Sequence, residues 1–158
     1  MASGKGASPV KLRVYLDTSV FSAYFDERMP ERQAQTREFW ERLAEFEVAT
    51  SEVTRQEMMQ LPESPLRSSL LELLSTVAVH PATDEMGDLA RHYIAASLFT
   101  ERTANDALHV AAAVSAGADV LASWNYRHMV NRRQRAAINE VNASLGLPPL
   151  EILPPTEL

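Results

Sequence analysis

Four acidic or amide side chains lie where a parallel sheet could bring them to one edge. Asp17 ends the apolar run VYLD, and Glu57 lies within SEVTRQEM. Asp106 lies in NDALHVAAA, and Asn125 follows LASW. Oxygen atoms of such side chains are the ligands that hard divalent cations prefer. The four residues therefore predict one metal site assembled from distant segments, and divalent cations held by carboxylates commonly catalyse phosphodiester hydrolysis.

Each of these residues also has a purely structural interpretation. Asp17 precedes Thr-Ser and could be a helix N-cap, and Asn125 could be a turn residue. Glu57 could be a solvated helix glutamate; the competing ligand, Glu52, lies at the helix start, where it complements the macrodipole. Asp106 could stabilise the first turn of its own helix. The apolar run ALHVAAAV after Asp106 indicates a buried helix, which favours the functional interpretation there.

Other side chains could assist at the same edge. Arg127 and His128 follow Asn125 and are candidates to contact phosphates, whereas the later arginines are typical of a solvated helix face. His109 shares a helix face with Asp106 and is predicted to be a core histidine, with orientation of a carboxylate or a water as the alternative. Trp124 is predicted to pack in the core, or to stack on a base if it is exposed.

The pattern of apolar residues predicts an α/β fold. Strands alternate with helical segments, which implies right-handed crossovers and a parallel sheet covered on both faces. In such sheets ligands bind beyond the carboxyl ends of the strands. Predicted strands are 12–16, 48–50, 76–80 and ADVLAS, and predicted helices run from about 18 to 25, 31 to 47, 51 to 61, 66 to 74, 83 to 99, 105 to 117 and 126 to 146.

Length and composition fit one domain. The chain has 158 residues, a net charge of -6 and no cysteine, which excludes disulfides, zinc-thiolate sites and thiol nucleophiles. The acidic balance also excludes a surface that is basic all round, and no apolar run is long enough for a membrane span. We expect a disordered leader at 1–10, one domain at 11–147 and a C-terminal tail at 148–158.

An aspartate at the end of a first strand is also typical of receiver domains and haloacid-dehalogenase-like phosphatases, which use it as a phosphoryl acceptor. Both families need a lysine late in the fold, and the only lysines here are Lys5 and Lys11. The phosphatases also place an acid two residues after the nucleophile, where this chain has Ser19. These features disfavour a phospho-aspartate mechanism.

Four segments together resemble the PIN-domain nucleases, especially the toxins of VapC type from toxin–antitoxin pairs. They are VYLDTSVFSAYF, TSEVTRQEM, NDALHVAAA and VLASWNYRHMVN, and the resemblance spans roughly residues 12–140 in the same order. It implies a single-domain three-layer α/β/α sandwich with a central, mostly parallel sheet. It also implies that Asp17, Glu57 and Asp106 bind Mg²⁺ or Mn²⁺, and that Asn125 occupies a position where many members have a fourth aspartate.

The activity implied by the resemblance is metal-assisted hydrolysis of RNA in the cytoplasm. In this scheme Asp17 and Asp106 hold the ion, Glu57 helps directly or through water, and Asn125 orients a coordinated water. Arg127 and His128 would contact the substrate. The family further implies a homodimer and a small antitoxin partner. A degenerate domain that binds RNA or a protein without cleaving is the alternative, since an amide replaces a charge at Asn125.

Overall fold

The computed structural model describes residues 10–158, which form a parallel sheet with helices on both faces. The five strands are β1 (Arg13–Leu16), β2 (Glu47–Ser51), β3 (Ala78–His80), β4 (Val120–Ala122) and β5 (Glu151–Leu153). The seven α-helices in this part of the chain are α1 (Thr18–Phe25), α2 (Pro30–Glu41), α3 (Glu52–Met59), α4 (Pro65–Leu74), α5 (Asp84–Ala95), α6 (Ala104–Ser115) and α7 (Arg132–Ser144). The predicted α/β class is confirmed.

The sheet is parallel throughout and has the order β3-β2-β1-β4-β5. From the central strand β1 the chain first builds outward on one side and then crosses to the other side with β4. This reversal lies between β1 and β4, and the crevice beyond the carboxyl ends of two such strands is the usual ligand site of an open parallel sheet. Asp17 directly follows β1, and Ser123 directly follows β4.

Alternating side chains of β1 divide the core between the two faces of the sheet. Tyr15 packs with the cluster built mainly from α5, α6 and α7, whereas Val14 and Leu16 pack with the cluster of α1, α2 and α4. All three side chains are buried. The side chains alternate because successive strand residues point to opposite faces. The expected three-layer α/β/α sandwich is therefore present.

Two helices end earlier than the sequence predicts. The helix expected over 31–47 is α2, which stops at Glu41; a short 3-10 turn at Leu43–Glu45 then brings the chain back into β2. The helix expected to reach Phe99 is α5, which ends at Ala95, and Ser97 reverses the chain with φ of 65°. The apolar residues beyond each end pack in the core from loops, so their helical spacing was misleading.

The predicted last helix, 126–146, is two elements. Tyr126–Val130 is a π-helical turn, in which the N–H groups of Met129 and Val130 both donate to the carbonyl of Asn125 at 3.0 Å. Asn131 then caps α7 by accepting the Gln134 N–H at 2.8 Å. Asparagine is one of the residue types preferred at a helix N-cap, so Asn131 is the feature of the sequence that indicates where α7 begins. Single π-helical turns occur often at functional sites.

The segment expected as a tail, 148–158, contributes a fifth strand. Residues Glu151–Leu153 pair in parallel with β4, and Ile152 is completely buried. Prolines on both sides of this short run hid the strand in the sequence. The predicted leader at 1–10 lies almost wholly outside the described residues. Within residues 10–158 no helix combines the length and apolar character needed to cross a membrane.

Candidate active site

Asp17 is held at the sheet edge by hydroxyl groups from two segments. Its Oδ1 accepts from the backbone N–H of Ser19 at 3.0 Å and from the Ser19 hydroxyl at 2.5 Å. Its Oδ2 accepts from the Ser123 hydroxyl at 2.5 Å. Asp17 is thus the N-cap of α1 and also a buried carboxylate, 3% exposed. A carboxylate has about four acceptor positions, so these three bonds leave one on Oδ2.

Ser123 connects Asp17 to Asn125 and, through it, to Asp106. The Ser123 hydroxyl accepts the Asn125 N–H at 2.9 Å, and the Asn125 side-chain amide donates to Asp106 Oδ2 at 3.3 Å. Asn125 Oδ1 accepts the His128 N–H at 3.0 Å, which fixes the orientation of the amide. The amide therefore presents N–H to Asp106 and uses its oxygen to cap the π-helical turn.

Glu57 joins the same edge from helix α3 through side-chain contacts. Its Oε1 accepts from the Thr18 hydroxyl at 2.5 Å and lies 2.6 Å from His109 Nε2. An ionised carboxylate only accepts, so Nε2 carries the proton that is shared with Glu57. On the other side of the ring, His109 Nδ1 lies 2.9 Å from the Tyr15 hydroxyl, which in turn contacts Ser51 at 2.7 Å.

This chain of contacts places His109 within the candidate site. The side chain is 2% exposed and connects β1, through Tyr15, to the carboxylate on α3. His109 therefore combines both interpretations from the sequence, because it is a satisfied core histidine and it orients a carboxylate. Its partners Tyr15 and Thr18 gave no signal in the sequence, since an isolated tyrosine or threonine is ordinary in a strand or cap.

The carboxylates differ in their preference for the charged state. Burial raises the pKa of Asp17 above its ordinary value, against the charge of His109 and the two serine hydroxyls. Burial also raises the pKa of Asp106, and the charges of Asp17 and Glu57 raise it further. Burial would raise the pKa of Glu57 too, but hydrogen bonding and charge from His109 outweigh it and leave this pKa below its usual value.

The donor set fits a divalent cation, although no cage is pre-formed. Asp17 and Asp106 repel each other across the edge, and a cation between such groups would offset that repulsion. Residues 10–158 contain no group of three or more His, Asp or Glu side chains already arranged around a common point. Glu57 Oε1 is instead engaged by Thr18 and His109. Asp17 and Asp106 are therefore the residues best suited to hold an ion, with Glu57 beside them.

The remaining sequence candidates lie at various distances from this centre. The charge of His128 lowers the pKa of Asp106, and Arg127 is exposed on the π-helical turn. Their contact with substrate stays a prediction. Glu52 lies in the first turn of α3, where its charge complements the macrodipole, and it also pairs with Arg55. Trp124 is only 6% exposed and packs in the core.

Ser19 and Ser123 are the functional residues that sequence reasoning missed. Both bond to Asp17, and the Ser19 hydroxyl also accepts the Trp124 N–H at 2.9 Å. A usable signal existed, because each serine lies within two residues of a candidate ligand at the end of a strand. Such positions can satisfy a buried carboxylate without adding charge.

A scan against protein-family models matches the PIN domain over residues 14–133. The chain belongs to the PIN domain family. The matched segment contains all four site residues predicted from the sequence. A search of curated proteins finds no match.

Solved structures share the fold of this PIN domain at low sequence identity. One is Mycobacterium tuberculosis VapC20, described as a toxin that cleaves the sarcin-ricin loop, with a TM-score of 0.56, 17% identity, and coverage of 73% of this chain and 92% of that chain. Another is Rickettsia felis VapBC2 bound to a DNA fragment from its promoter, with a TM-score of 0.54, 16% identity, and coverage of 89% of this chain and 97% of that chain. At such identities the likeness establishes the fold alone.

Proposed function

We propose that this PIN domain is a metal-dependent endoribonuclease and the toxin of a toxin–antitoxin pair. The observation that carries the proposal is the continuous network Asp17–Ser123–Asn125–Asp106 at the carboxyl edge of the sheet. Glu57 joins this edge through Thr18, the residue next to Asp17. The likeness in fold to VapC toxins supports the choice of RNA as substrate.

The side chains of this chain divide the work of hydrolysis. A bound Mg²⁺ or Mn²⁺ would lower the pKa of a water molecule and offset charge on the phosphate. Asp17 and Asp106 would hold that ion. The hydroxyls of Ser19 and Ser123 keep Asp17 in one orientation despite its burial. Hydrogen bonding and charge from His109 hold the pKa of Glu57 below its usual value, so this carboxylate stays ionised beside the site of the ion.

Asn125 would orient a coordinated water only through the hydrogen-bonding positions of its amide that its bonds within the protein do not already use. Its oxygen caps the π-helical turn, and its amide nitrogen donates to Asp106. That N–H also stabilises the charged form of Asp106 without adding a fourth carboxylate. One cation is therefore a better match to this charge than two. Arg127 and His128 remain the proposed contacts to RNA phosphates.

The proposal is tested with labelled RNA of mixed sequence incubated with Mn²⁺. We expect cleavage by the wild-type protein and loss of cleavage in Asp17→Asn and Asp106→Asn. Mn²⁺ should also raise the melting temperature of the wild type and do so less in either variant, a readout that does not depend on activity. Equal cleavage by wild type and both variants would place the chemistry elsewhere or in a contaminant.

The toxin assignment has its own experiment, because it is a property of the cell. Expression of the protein in the cytoplasm of a bacterial host should arrest growth of that host. Co-expression of a short reading frame that neighbours the gene for this protein should relieve the arrest. Analytical ultracentrifugation would test the proposed homodimer and its complex with that small partner. Normal growth during expression of a protein that cleaves RNA in vitro would retain the nuclease and reject the toxin role.

The non-cleaving alternative is favoured by one observation, the engagement of Glu57 by Thr18 and His109. If this pairing persists with metal present, Glu57 Oε1 stays with Thr18 and His109, and the ion has less support from Glu57. The domain would then bind RNA without hydrolysing it. Isothermal titration calorimetry with Mn²⁺ separates the nuclease from the RNA-binding alternative. Binding of Mn²⁺ with micromolar affinity that is lost in Glu57→Gln supports the nuclease.

A further inference from the structure

An open groove lies beside the candidate active site and is lined by side chains that suit an unpaired nucleotide. Its volume is about 470 Å³, and Arg28, Pro30, Arg32, Trp124 and Tyr126 line it. This volume is within the range of about 300–1,000 Å³ that is typical of small-ligand sites. None of the residues assigned above to hold the ion or contact phosphates lines the groove, so it is separate from the candidate active site.

Tyr126 offers the groove a largely uncovered aromatic ring. It is 47% exposed, whereas the neighbouring Trp124 is 6% exposed. The two ring centroids lie 6.5 Å apart with the planes tilted by 48°. Solvent-exposed tyrosines next to acidic nuclease sites are suited to stacking, because every nucleobase has an aromatic face. Tyr126 is therefore the residue on which a base can stack, since Trp124 is buried.

The wall behind Tyr126 is rigid. Trp124 Nε1 donates to the Thr36 hydroxyl on α2 at 2.9 Å, and that hydroxyl donates to the carbonyl of Arg32 at 2.7 Å. The Arg32 guanidinium lies over the Trp124 ring, 4.9 Å from its centroid. The side of the groove formed by Trp124 and Arg32 is thus pre-organised, which lowers the entropic cost of binding a ligand.

The charges at the groove favour a phosphate near Arg32. Arg28 pairs with Asp26 at 2.9 Å, and the exposed Glu31 also lines the groove. Arg32 makes no ion pair with any of residues 10–158. Its charge therefore remains available to a phosphate, and an arginine already held over a ring loses little freedom on binding one.

The groove is coupled to the acidic centre through the backbone of Trp124 and Asn125. The Trp124 N–H donates to the Ser19 hydroxyl, which bonds to Asp17. Asn125 precedes Tyr126 directly and donates to Asp106. The groove therefore adjoins the carboxylates along this stretch of the chain, and RNA bound at the carboxylates would pass beside it.

We propose that this groove binds one unpaired nucleotide of the RNA beside the scissile phosphate, with the base stacked on Tyr126 and a phosphate at Arg32. The proposal rests on the nuclease function proposed above. Because a base in a duplex cannot stack on Tyr126, the groove selects single-stranded segments, loops or bulges. Stacking tolerates any base, so this subsite selects RNA structure more than RNA sequence.

The test measures RNA binding in the Asp106→Asn background, where cleavage is silenced. A fluorescein-labelled pool of random single-stranded RNAs, about 12 nucleotides long to cover one site, is titrated and followed by anisotropy. Adding Tyr126→Ala should weaken binding of the pool by about 5-fold to 100-fold, the range expected for loss of one stacked base. Tyr126→Phe should retain the affinity, because the ring is preserved. A blunt RNA duplex of the same length should respond to neither change.

Arg32→Gln, added to the same background, tests the phosphate contact. Binding of the pool should weaken. The plot of the logarithm of the association constant against the logarithm of the salt concentration should become shallower by about 0.7, as expected for the loss of one phosphate contact to a single strand. Leu66→Ala is the matched control, since Leu66 is 48% exposed on α4 and lies outside the groove. It should change neither affinity nor slope.

Several outcomes would overturn the subsite. They are unchanged affinity in Tyr126→Ala, equal losses in Tyr126→Ala and Tyr126→Phe, an unchanged salt slope in Arg32→Gln, or no binding of the pool by the Asp106→Asn protein. The first would leave the groove to a protein partner instead of RNA.

Cleavage of RNA by the wild type with Mn²⁺, measured in parallel, separates this proposal from the nuclease function. Cleavage together with any of the overturning outcomes would reject the subsite alone. Loss of binding in Tyr126→Ala without any cleavage by the wild type would support the subsite and reject the nuclease.

Discussion

The candidate site has two halves that are built in different ways. Asp17 lies at a strand end, where its own N–H donates to the carbonyl of Ala122 on β4 and its carboxylate accepts from Ser19 and Ser123. Glu57 lies on helix α3 and is placed by side chains alone, those of Thr18 and His109. The strand-end half is fixed by the fold, whereas the helix half depends on a chain of side-chain contacts. We therefore expect the first half to be the rigid ligand and the second half to be adjustable.

The largest expected effect compares matched amide substitutions in the two halves. Asp17→Asn should lower RNA cleavage by at least about 100-fold, because it removes the charge of a proposed direct metal ligand, and Glu57→Gln should lower it by about 10-fold to 100-fold. Initial rates at saturating Mn²⁺ measure both. Glu72→Gln, an exposed change on α4, should leave the rate unaltered. Losses of equal size would remove the distinction between the halves.

His109→Ala should have the next largest effect, because it breaks the helix half at its centre. The variant leaves the Tyr15 hydroxyl and the Glu57 carboxylate without their shared partner, which should lower the free energy of unfolding by about 1–3 kcal/mol. Activity should fall by about 10-fold to 100-fold, with a higher Mn²⁺ requirement. Urea unfolding and metal titration of the rate give the two values.

A purely structural role for His109 predicts a different pattern. The stability would fall, but the Mn²⁺ requirement of the remaining folded protein would stay at the wild-type value. His92→Ala is the control, since His92 is exposed on α5.

Removing a single hydroxyl group from each half should lower the free energy of unfolding by different amounts. Ser123→Ala takes a donor from Asp17 and an acceptor from the Asn125 N–H, so we expect a loss of about 1–2 kcal/mol in the metal-free protein. Thr18→Val takes one donor from Glu57, which keeps His109, and should cost less than about 1 kcal/mol. Urea unfolding in EDTA measures both, and the reverse order would contradict the comparison.

The smallest net effect, once Mn²⁺ is present, is expected from introducing a fourth carboxylate. Asn125→Asp places a second negative charge where the amide now donates to Asp106, and it should destabilise the metal-free protein by about 1 kcal/mol at this half-exposed position. Excess Mn²⁺ should recover that loss. Melting curves with and without Mn²⁺ test this, and a variant that stays destabilised in Mn²⁺ would indicate damage to the turn that Asn125 caps.

The strand-end half was predictable from the sequence and the helix half was only partly so. Asp17 and Asn125 follow short apolar runs, and parallel strands bring such positions to one edge. Glu57 was predictable as a candidate, but its pairing with His109 depends on the rotation of α3 against α6, which periodicity does not specify. The same limit hid the role of Tyr15, because contacts across elements leave no local pattern.

Elements without a periodic signal were missed for similar reasons. The strand at Glu151–Leu153 is short and lies between prolines, so only its pairing with β4 reveals it. The π-helical turn at Tyr126–Val130 has a helical composition, and only the double hydrogen bond to the Asn125 carbonyl distinguishes it. Sequence patterns report the local preference of a segment, whereas these elements depend on what lies across from them.

The π-helical turn has a consequence for how this segment can change during evolution. A wide turn contains one residue more than an α-helical turn, and one residue corresponds to about 100° of rotation. The number of residues between Asn125 and Asn131 therefore sets the direction of the Tyr126 side chain relative to the axis of α7. Exchanging the exposed Arg127 for another residue keeps that direction, whereas deleting it would turn the ring away from the groove. Relatives should therefore conserve the length of this stretch more strictly than the identity of its exposed residues.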